Sequence, residues 1–290
     1  YQTSFWAKLY EKTYDSKPYY IYITNSNDEI VGQLCILIHS KYLTEHTNYF
    51  KRFLISSLSN LKFIKWEYGP IIHDIENKNK IIEKFLSAID QIAKQEHVTI
   101  IHGSSNPYEL TNNDEFLQSG YSLQEWKTPI INLSDNLDSY FDNLDKNTRY
   151  DIRKSEKLNF KFETADKESQ FFDFAKIGIV SREKQGESRI LSNHRIKNDW
   201  EILYKKGYLK LFLVNQNKKT LSGIWCLIFN NILIQHGVVN SIDNSKESGT
   251  FLTWNSIKES IKLNYKFFDL GGANPNPSNK KEKNINFYKS

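Results

Sequence analysis

The segment Phe267-Phe268-Asp269-Leu270-Gly271-Gly272-Ala273 constrains the fold more than any other stretch of the chain. Two aromatic residues run into an acid and a glycine pair. That pattern reads as a buried strand ending in a loop whose backbone angles favour glycine. A polar stretch then leads to Phe287-Tyr288-Lys289. Carboxyl ends of strands in open α/β sheets are where ligands tend to bind, so this strand end is a candidate site. The alternative is that Gly271-Gly272 only turns the chain.

Strand-like and helical patterns recur along the whole sequence. Ser4 to Lys12 reads as a short helix with Ser4 as its N-cap. Tyr19 to Thr24 and Ile30 to His39 read as two strands joined by Asn25-Ser26-Asn27-Asp28, and Phe63 to Trp66 as another strand ending at Tyr68-Gly69-Pro70. Ile81, Ile82, Phe85, Leu86, Ile89 and Ile92 give Asn77 to Glu96 a helical period, and Val98 to Ile101 follows as a strand. The second half repeats this grammar at greater length. Leu137 to Leu144, Thr148 to Lys157, Ser169 to Lys184 and His194 to Lys205 are helical by pattern, with Phe160 to Glu163 extended between them. Tyr208 to Val214, Leu221 to Phe229 and Ile232 to Val239 read as consecutive strands, the last two joined by a tight turn at Asn230-Asn231. A helix over Thr250 to Leu263 and the strand Lys266 to Leu270 close the unit. The expected fold class is α/β with mixed sheets, in two tandem domains, 1–130 and 131–290, with the boundary within Thr128 to Asp135.

The 290 residues, 39% hydrophobic and 14% aromatic, support a core rich in rings. No apolar run reaches the length of a membrane span and no signal-like segment opens the chain, so a cytoplasmic protein is expected. The absence of Met and the start at Tyr1 are those of a fragment, or of a chain written without its methionines. Cys35 and Cys226 lie in apolar runs, as buried reduced thiols would. The net charge of +5, from 39 basic and 34 acidic residues, suits an anionic ligand but falls short of a nucleic-acid-binding composition. His39, His46, His73, His97, His102, His194 and His236 show no metal-ligand spacing with the cysteines, so no metal is expected. No Gly-x-Ser-x-Gly elbow or Walker loop occurs.

Several residues carry candidate chemistry. Lys146, Arg149, Arg153 and Lys157 recur at helical spacing and make one basic face, fit for a phosphate or, equally, for solvent alone. Asp269 at the strand end would act as a base, orient an acceptor amine, or simply shape the turn. His236 faces either a cleft or the core. Trp225 and Trp254 read as core rings.

Four motifs resemble, in order, those of the FemABX peptidoglycan-bridge aminoacyltransferases and their GNAT-fold relatives. Ser4-Phe5-Trp6-Ala7-Lys8 is similar to the family's "S-x-W-A-x-x-K" opening, and Trp66-Glu67-Tyr68-Gly69-Pro70 to its "Y-G-P" strand end. Lys146 to Lys154 matches "K-x-x-R-x-x-I-R-K", and Asp269-Leu270-Gly271-Gly272 matches "D-L-G-G". The resemblance implies two GNAT-like domains, without the long helical arm of some members. It implies catalysis by Lys289, which would stabilise an oxyanion; Asp269, read from its place at the strand end, is the other catalytic candidate. It also implies substrate binding by Lys146, Arg149, Arg153, Arg189, Tyr68, Gly271 and Gly272, Arg189 taking the place of an arginine that holds a diphosphate downstream of Arg182 and Gly186. The family's opening lysine falls on Tyr10, a departure that weighs on a UDP-linked acceptor. Ordinary GNAT enzymes cradle a CoA pyrophosphate with "R/Q-x-x-G-x-G/A"; here Lys246 and Gly249 match, ahead of a helix at Thr250, while Phe251 replaces the last small residue.

The implied function is an acyl or aminoacyl transferase of cell-envelope biogenesis. It would move an acyl group from aminoacyl-tRNA or acyl-CoA onto an amine of a cell-envelope or nucleotide-linked precursor. No tightly bound cofactor is expected, acyl-CoA entering only as a co-substrate. The alternatives are an ordinary acyl-CoA-dependent N-acyltransferase, or a non-catalytic relative that binds an anionic metabolite.

Overall fold

The computed structural model describes residues 1–39, 61–108, 113–133, 136–184, 193–241, 245–279 and 282–283. The chain divides into two compact units, Tyr1–Glu125 and Trp126–Ser290.

In the first unit, α1 (Ser4–Tyr14) is capped by Thr3, not by Ser4. Thr3 has the extended backbone that a cap requires, and its hydroxyl accepts from the Trp6 amide at 3.2 Å, whereas Ser4 is already helical. Strands β1 (Lys17–Thr24) and β2 (Ile30–His39) form an antiparallel hairpin, its turn held by the Asn25 side chain, which accepts from the Asn27 and Glu29 amides. β3 (Lys62–Trp66) joins β2, the short β4 (Ile71–Ile72) pairs with β2 as well, and helix α2 (Lys78–Gln95) carries the chain over to β5 (Val98–Gly103), parallel to β3. The α2 stripe Ile81, Ile82, Phe85, Leu86 and Ile89 packs on Leu34, Ile36, Ile38, Ile64 and Trp66 of the sheet. Gly103 lies flush against Trp66, where an added Cβ would stand 1.9 Å from the ring, so no larger residue fits. A short helix, α3 (Asp114–Gln118), follows.

The second unit is a six-stranded sheet in the order β6-β11-β10-β9-β8-β7. Its strands are β6 (Ile130–Asn132), β7 (Lys161–Thr164), β8 (Leu209–Gln216), β9 (Lys219–Phe229), β10 (Ile232–Asn240) and β11 (Phe267–Asp269). β7 to β10 run antiparallel, β10 and β11 parallel, and β11 and β6 antiparallel. Two-residue turns join β8 to β9 and β9 to β10; Asn217, Lys218 and Asn230 take positive φ there, a conformation that asparagine tolerates well. Helices α4 (Leu137–Asn143), α5 (Lys146–Glu156) and α8 (Ser245–Lys262) belong to one face, where Ile152, Leu252, Trp254 and Ile257 meet Phe212, Ile224, Cys226, Leu233 and Phe268. On the other face α6 (Glu168–Lys184) lays Phe174 on Gly223, whose missing side chain admits the ring: an added Cβ would stand 2.6 Å from it. Both cysteines are free and buried, and burial pushes the Cys35 thiol up to about 11.

Two helices differ from the sequence reading. The stretch from His194 to Lys205 is not one α-helix: α7 (Asn193–Asn198) widens into a π-helical turn, Asp199–Leu203, and tightens into a 3₁₀ turn, Tyr204–Lys206, closed by Gly207 at φ 78. Trp200 then stacks on Tyr204 at 4.2 Å, and both rings pack on Phe171. The last helix begins at Ser245 rather than Thr250. Among the described residues no helix is long and apolar enough to cross a membrane.

His39 gives the first unit a pH signature. Its buried ring stacks on Phe63 and its Nδ1 pairs with the Ser16 hydroxyl at 2.8 Å, while Nε2 has no partner among the described residues. Burial, helped by Lys65, lowers its pKa from 6.5 to about 4. Between those values the unfolded chain binds the extra proton, so stability falls as pH drops through this window, by about 3 kcal/mol in total. Chemical denaturation at stepped pH is expected to show this loss in the wild type, and a smaller loss in His39→Gln, which cannot titrate.

Candidate functional site

The parallel ladder between β10 and β11 pairs Ile232 with Phe267, Leu233 with Phe268 and Ile234 with Asp269, and ends there. β10 continues against β9 as far as Asn240, while β11 ends at Asp269 and the chain beyond it bonds to Pro129 and Lys127 on its other side. The carboxyl ends of two neighbouring parallel strands therefore part, the geometry in which open α/β sheets bind ligands.

The loop that leaves β11 is pinned by residues distant in sequence. Asp269 is fully buried, and its Oδ1 accepts from the Gly271 amide at 2.6 Å and from the Thr128 hydroxyl. Gly271 sits at φ 74, a left-handed conformation suited to glycine. The Leu270 amide donates to Pro129 at 2.9 Å, and Gln235 Nε2 of β10 donates to the Leu270 carbonyl at 3.2 Å. Lys127 and Ala273 exchange backbone bonds of 3.0 and 2.6 Å. Trp126, 56% exposed, covers Gly272, where an added Cβ would stand 3.3 Å from the indole.

On β10 the register slips between Gln235 and Gly237, making a bulge at His236 opposite Trp225 of β9. The His236 and Trp225 rings meet edge-on at 5.3 Å, and Phe174 stands 6.3 Å from Trp225 on the same side. The Arg195 guanidinium lies 5.5 Å from the Trp225 ring centre, and its Nε donates to both oxygens of the buried Asp199 at 2.8 Å. Burial raises the Asp199 carboxyl above the ordinary carboxylate range, and Arg195 pulls it back.

The other residues singled out from sequence fall in different places. Lys146 opens α5 directly after the capping Asp145, whose carboxylate accepts from the Asn147 and Thr148 amides. Arg149 donates to the Asp142 carbonyl, and Arg153 lies over the Phe141 ring at 5.3 Å. A second side of α5 is tied to α8 by the pairs Lys154–Glu247, Lys246–Asp151 and Lys258–Glu156, at 2.9, 2.9 and 3.3 Å. This corrects the reading of Lys246 and Gly249 as a loop ahead of a helix. Lys246 is engaged with Asp151, and Gly249 lies inside α8, where its amide is committed to the helix and its Cα faces Asn240. Tyr68 belongs to the first unit, at φ 52, with its amide donating to the Ser104 hydroxyl at 3.1 Å. Arg189 and Lys289 lie outside the described residues.

The structure thus brings Asp269, Gly271 and Gly272 together with Trp126, Thr128 and Gln235, which the sequence reading did not single out. Gly237 inside a strand was the one local signal of the bulge. Among the described residues no cluster of His, Cys, Asp and Glu side chains is arranged to hold a metal.

No protein-family model matches the chain, and no curated protein matches it by sequence. Solved structures do match. The fold is that of tandem GNAT proteins, represented by one from the clavulanic acid biosynthesis pathway: TM-score 0.57, 7% identity, covering 94% of this chain and 79% of that one. Within this class the chain is similar to FemX, with a TM-score of 0.72 and 14% identity over 99% of this chain and 87% of FemX. L-PGS from Bacillus licheniformis matches with a TM-score of 0.50 and 11% identity, covering 95% and 77%. The α/β fold and the FemABX-like, GNAT-like architecture expected from the sequence are therefore found.

Asp269 is placed to shape the loop. Asp269→Asn, which keeps an acceptor oxygen for Gly271 and Thr128, is expected to retain most ligand binding and stability. Asp269→Ala leaves those donors unpaired and is expected to lose about 1–3 kcal/mol in thermal denaturation. Equal losses in both variants contradict this role.

Proposed function

We propose that the protein is an acyl or aminoacyl transferase acting on an amine of a cell-envelope or nucleotide-linked precursor. The observation that carries this reading is the parting of β10 and β11 beside a loop pinned by Asp269, in a chain with the fold of FemX and of a tandem GNAT protein. The amine lone pair attacks the carbonyl carbon of the donor and forms the C–N bond. The tetrahedral intermediate collapses with cleavage of the C–O or C–S bond, and the proton lost from nitrogen ends on the departing oxygen or sulfur. Lys289 is the residue proposed to stabilise the oxyanion, and Asp269 the one that positions Gly271 and Gly272. Lys146, Arg149, Arg153 and Arg189 are proposed to hold the anionic part of a substrate.

Between donors we favour aminoacyl-tRNA, which also implies a cytoplasmic setting. Lys246 held by Asp151 and Gly249 committed to a helix both weigh against a pyrophosphate cradle at that place. Thermal-shift titrations at low and high salt test the choice. Stabilisation by charged tRNA that weakens steeply with salt is expected, with little effect of CoA. Saturable stabilisation by CoA alone reverses the donor assignment. In a transfer assay followed by mass spectrometry, Lys289→Ala is expected to lower turnover by about a hundredfold or more. Full turnover in that variant removes Lys289 from the mechanism.

A further inference from the structure

β1 forms an edge of the first unit's sheet. Among the described residues it pairs with β2 alone, so one side of its backbone meets no other strand. Open edges template pairing with another chain, and they are normally guarded by charge, proline or a bulge. Here the guards stand only at the ends. Pro18 lies near the start, and a bulge between Ile23 and Thr24 marks the close. Lys17, the one charged residue of the strand, is drawn away to Glu96, whose carboxylate it meets at 2.6 Å. Between the guards run Tyr19, Tyr20, Ile21, Tyr22 and Ile23, all uncharged and all of high strand propensity. Tyr19, Ile21 and Ile23 pack on the core beneath α2, whereas Tyr20 and Tyr22 project from the opposite face, 45% and 53% exposed.

This stretch is its own complement. Laid antiparallel to a second copy about a two-fold axis at Ile21, it sets Tyr20 opposite Tyr22 of that copy and Tyr19 opposite Ile23. Ring then meets ring on the exposed face, a favourable cross-strand pair, and no charge opposes a like charge. Pro18 falls opposite Thr24, at the limit of the pairing, where its missing N–H matters least. We infer that β1 is a self-association edge, through which two copies of this chain join β1 to β1, antiparallel, along Tyr19 to Ile23. Each copy contributes its single β1 edge, so the contact closes at a dimer and leaves no β1 edge to extend it. An extended peptide of another protein would satisfy the same backbone groups, but the self-complementary pattern selects a second copy.

Sedimentation equilibrium of the full chain over a concentration series tests this pairing. The wild type is expected to follow a single monomer–dimer equilibrium. Tyr20→Lys combined with Tyr22→Lys places like charges opposite each other at two points of the interface. That variant is expected to raise the dimer dissociation constant by roughly tenfold or more. Tyr20→Lys combined with Tyr22→Glu places opposite charges across the same axis, and is expected to bring the constant back toward that of the wild type. Both variants lose the same two exposed rings, so a defect of folding would strike them alike, whereas only the paired register separates them. A wild type that stays monomeric at every concentration, as it would if β1 receives a peptide of another protein, overturns the inference. So does a dimer that the two-lysine variant leaves intact. A mixed-charge variant that keeps the wild-type circular dichroism but does not recover the dimer overturns it as well.

Discussion

β10 and β11 are paired only through Ile232, Leu233 and Ile234 on one strand and Phe267, Phe268 and Asp269 on the other, and the site depends on where that ladder stops. A parallel pair needs a crossover, here α8, and cannot be closed by a hairpin. Leu233 and Phe268 are anchored in the core beneath α8, so the paired part is fixed. Beyond it, β10 keeps its ladder with β9 and a side-chain bond from Gln235 to the Leu270 carbonyl, while the end of β11 and the chain after it bond to Pro129, Thr128 and Lys127. Backbone groups at such an end either pair elsewhere or face a ligand.

Asp269 shows how one carboxylate organises this end. Its short side chain closes a local turn on Gly271 and reaches Thr128, far away in sequence, so strand and loop share one acceptor. On β10 the bulge lies at His236, whose ring meets Trp225 of β9 edge-on. The two strands thus end differently. One is tightly bonded, and on the other no atom of the described residues lies within 4 Å of the Gly237 Cβ position.

Local patterns made the sheets and most helices legible. The Ile81 to Ile89 stripe, the Asn230-Asn231 turn and the aromatic run before Asp269 each state their element within a few residues. What failed was set by distant partners. Gly249 disfavours helix by about 1 kcal/mol, which hid the first turn of α8. That turn forms because Gly249 fits against Asn240 and Ser222 donates to the Ser248 carbonyl. Likewise the π-helical turn follows Asp199, paired in the interior with Arg195, and no periodicity announces it. Thr128 has no signature of its own, because its partner Asp269 lies at the other end of the unit.

Hydrogen exchange read by mass spectrometry, with and without a hydrolysis-resistant donor analogue, tests the placement of the site most directly. Protection is expected at the amides of Gly237 to Asn240 and Leu270 to Ala273, on both sides of the parted strands. Binding that leaves these amides unchanged and protects other segments contradicts a donor site at the end of the β10–β11 ladder.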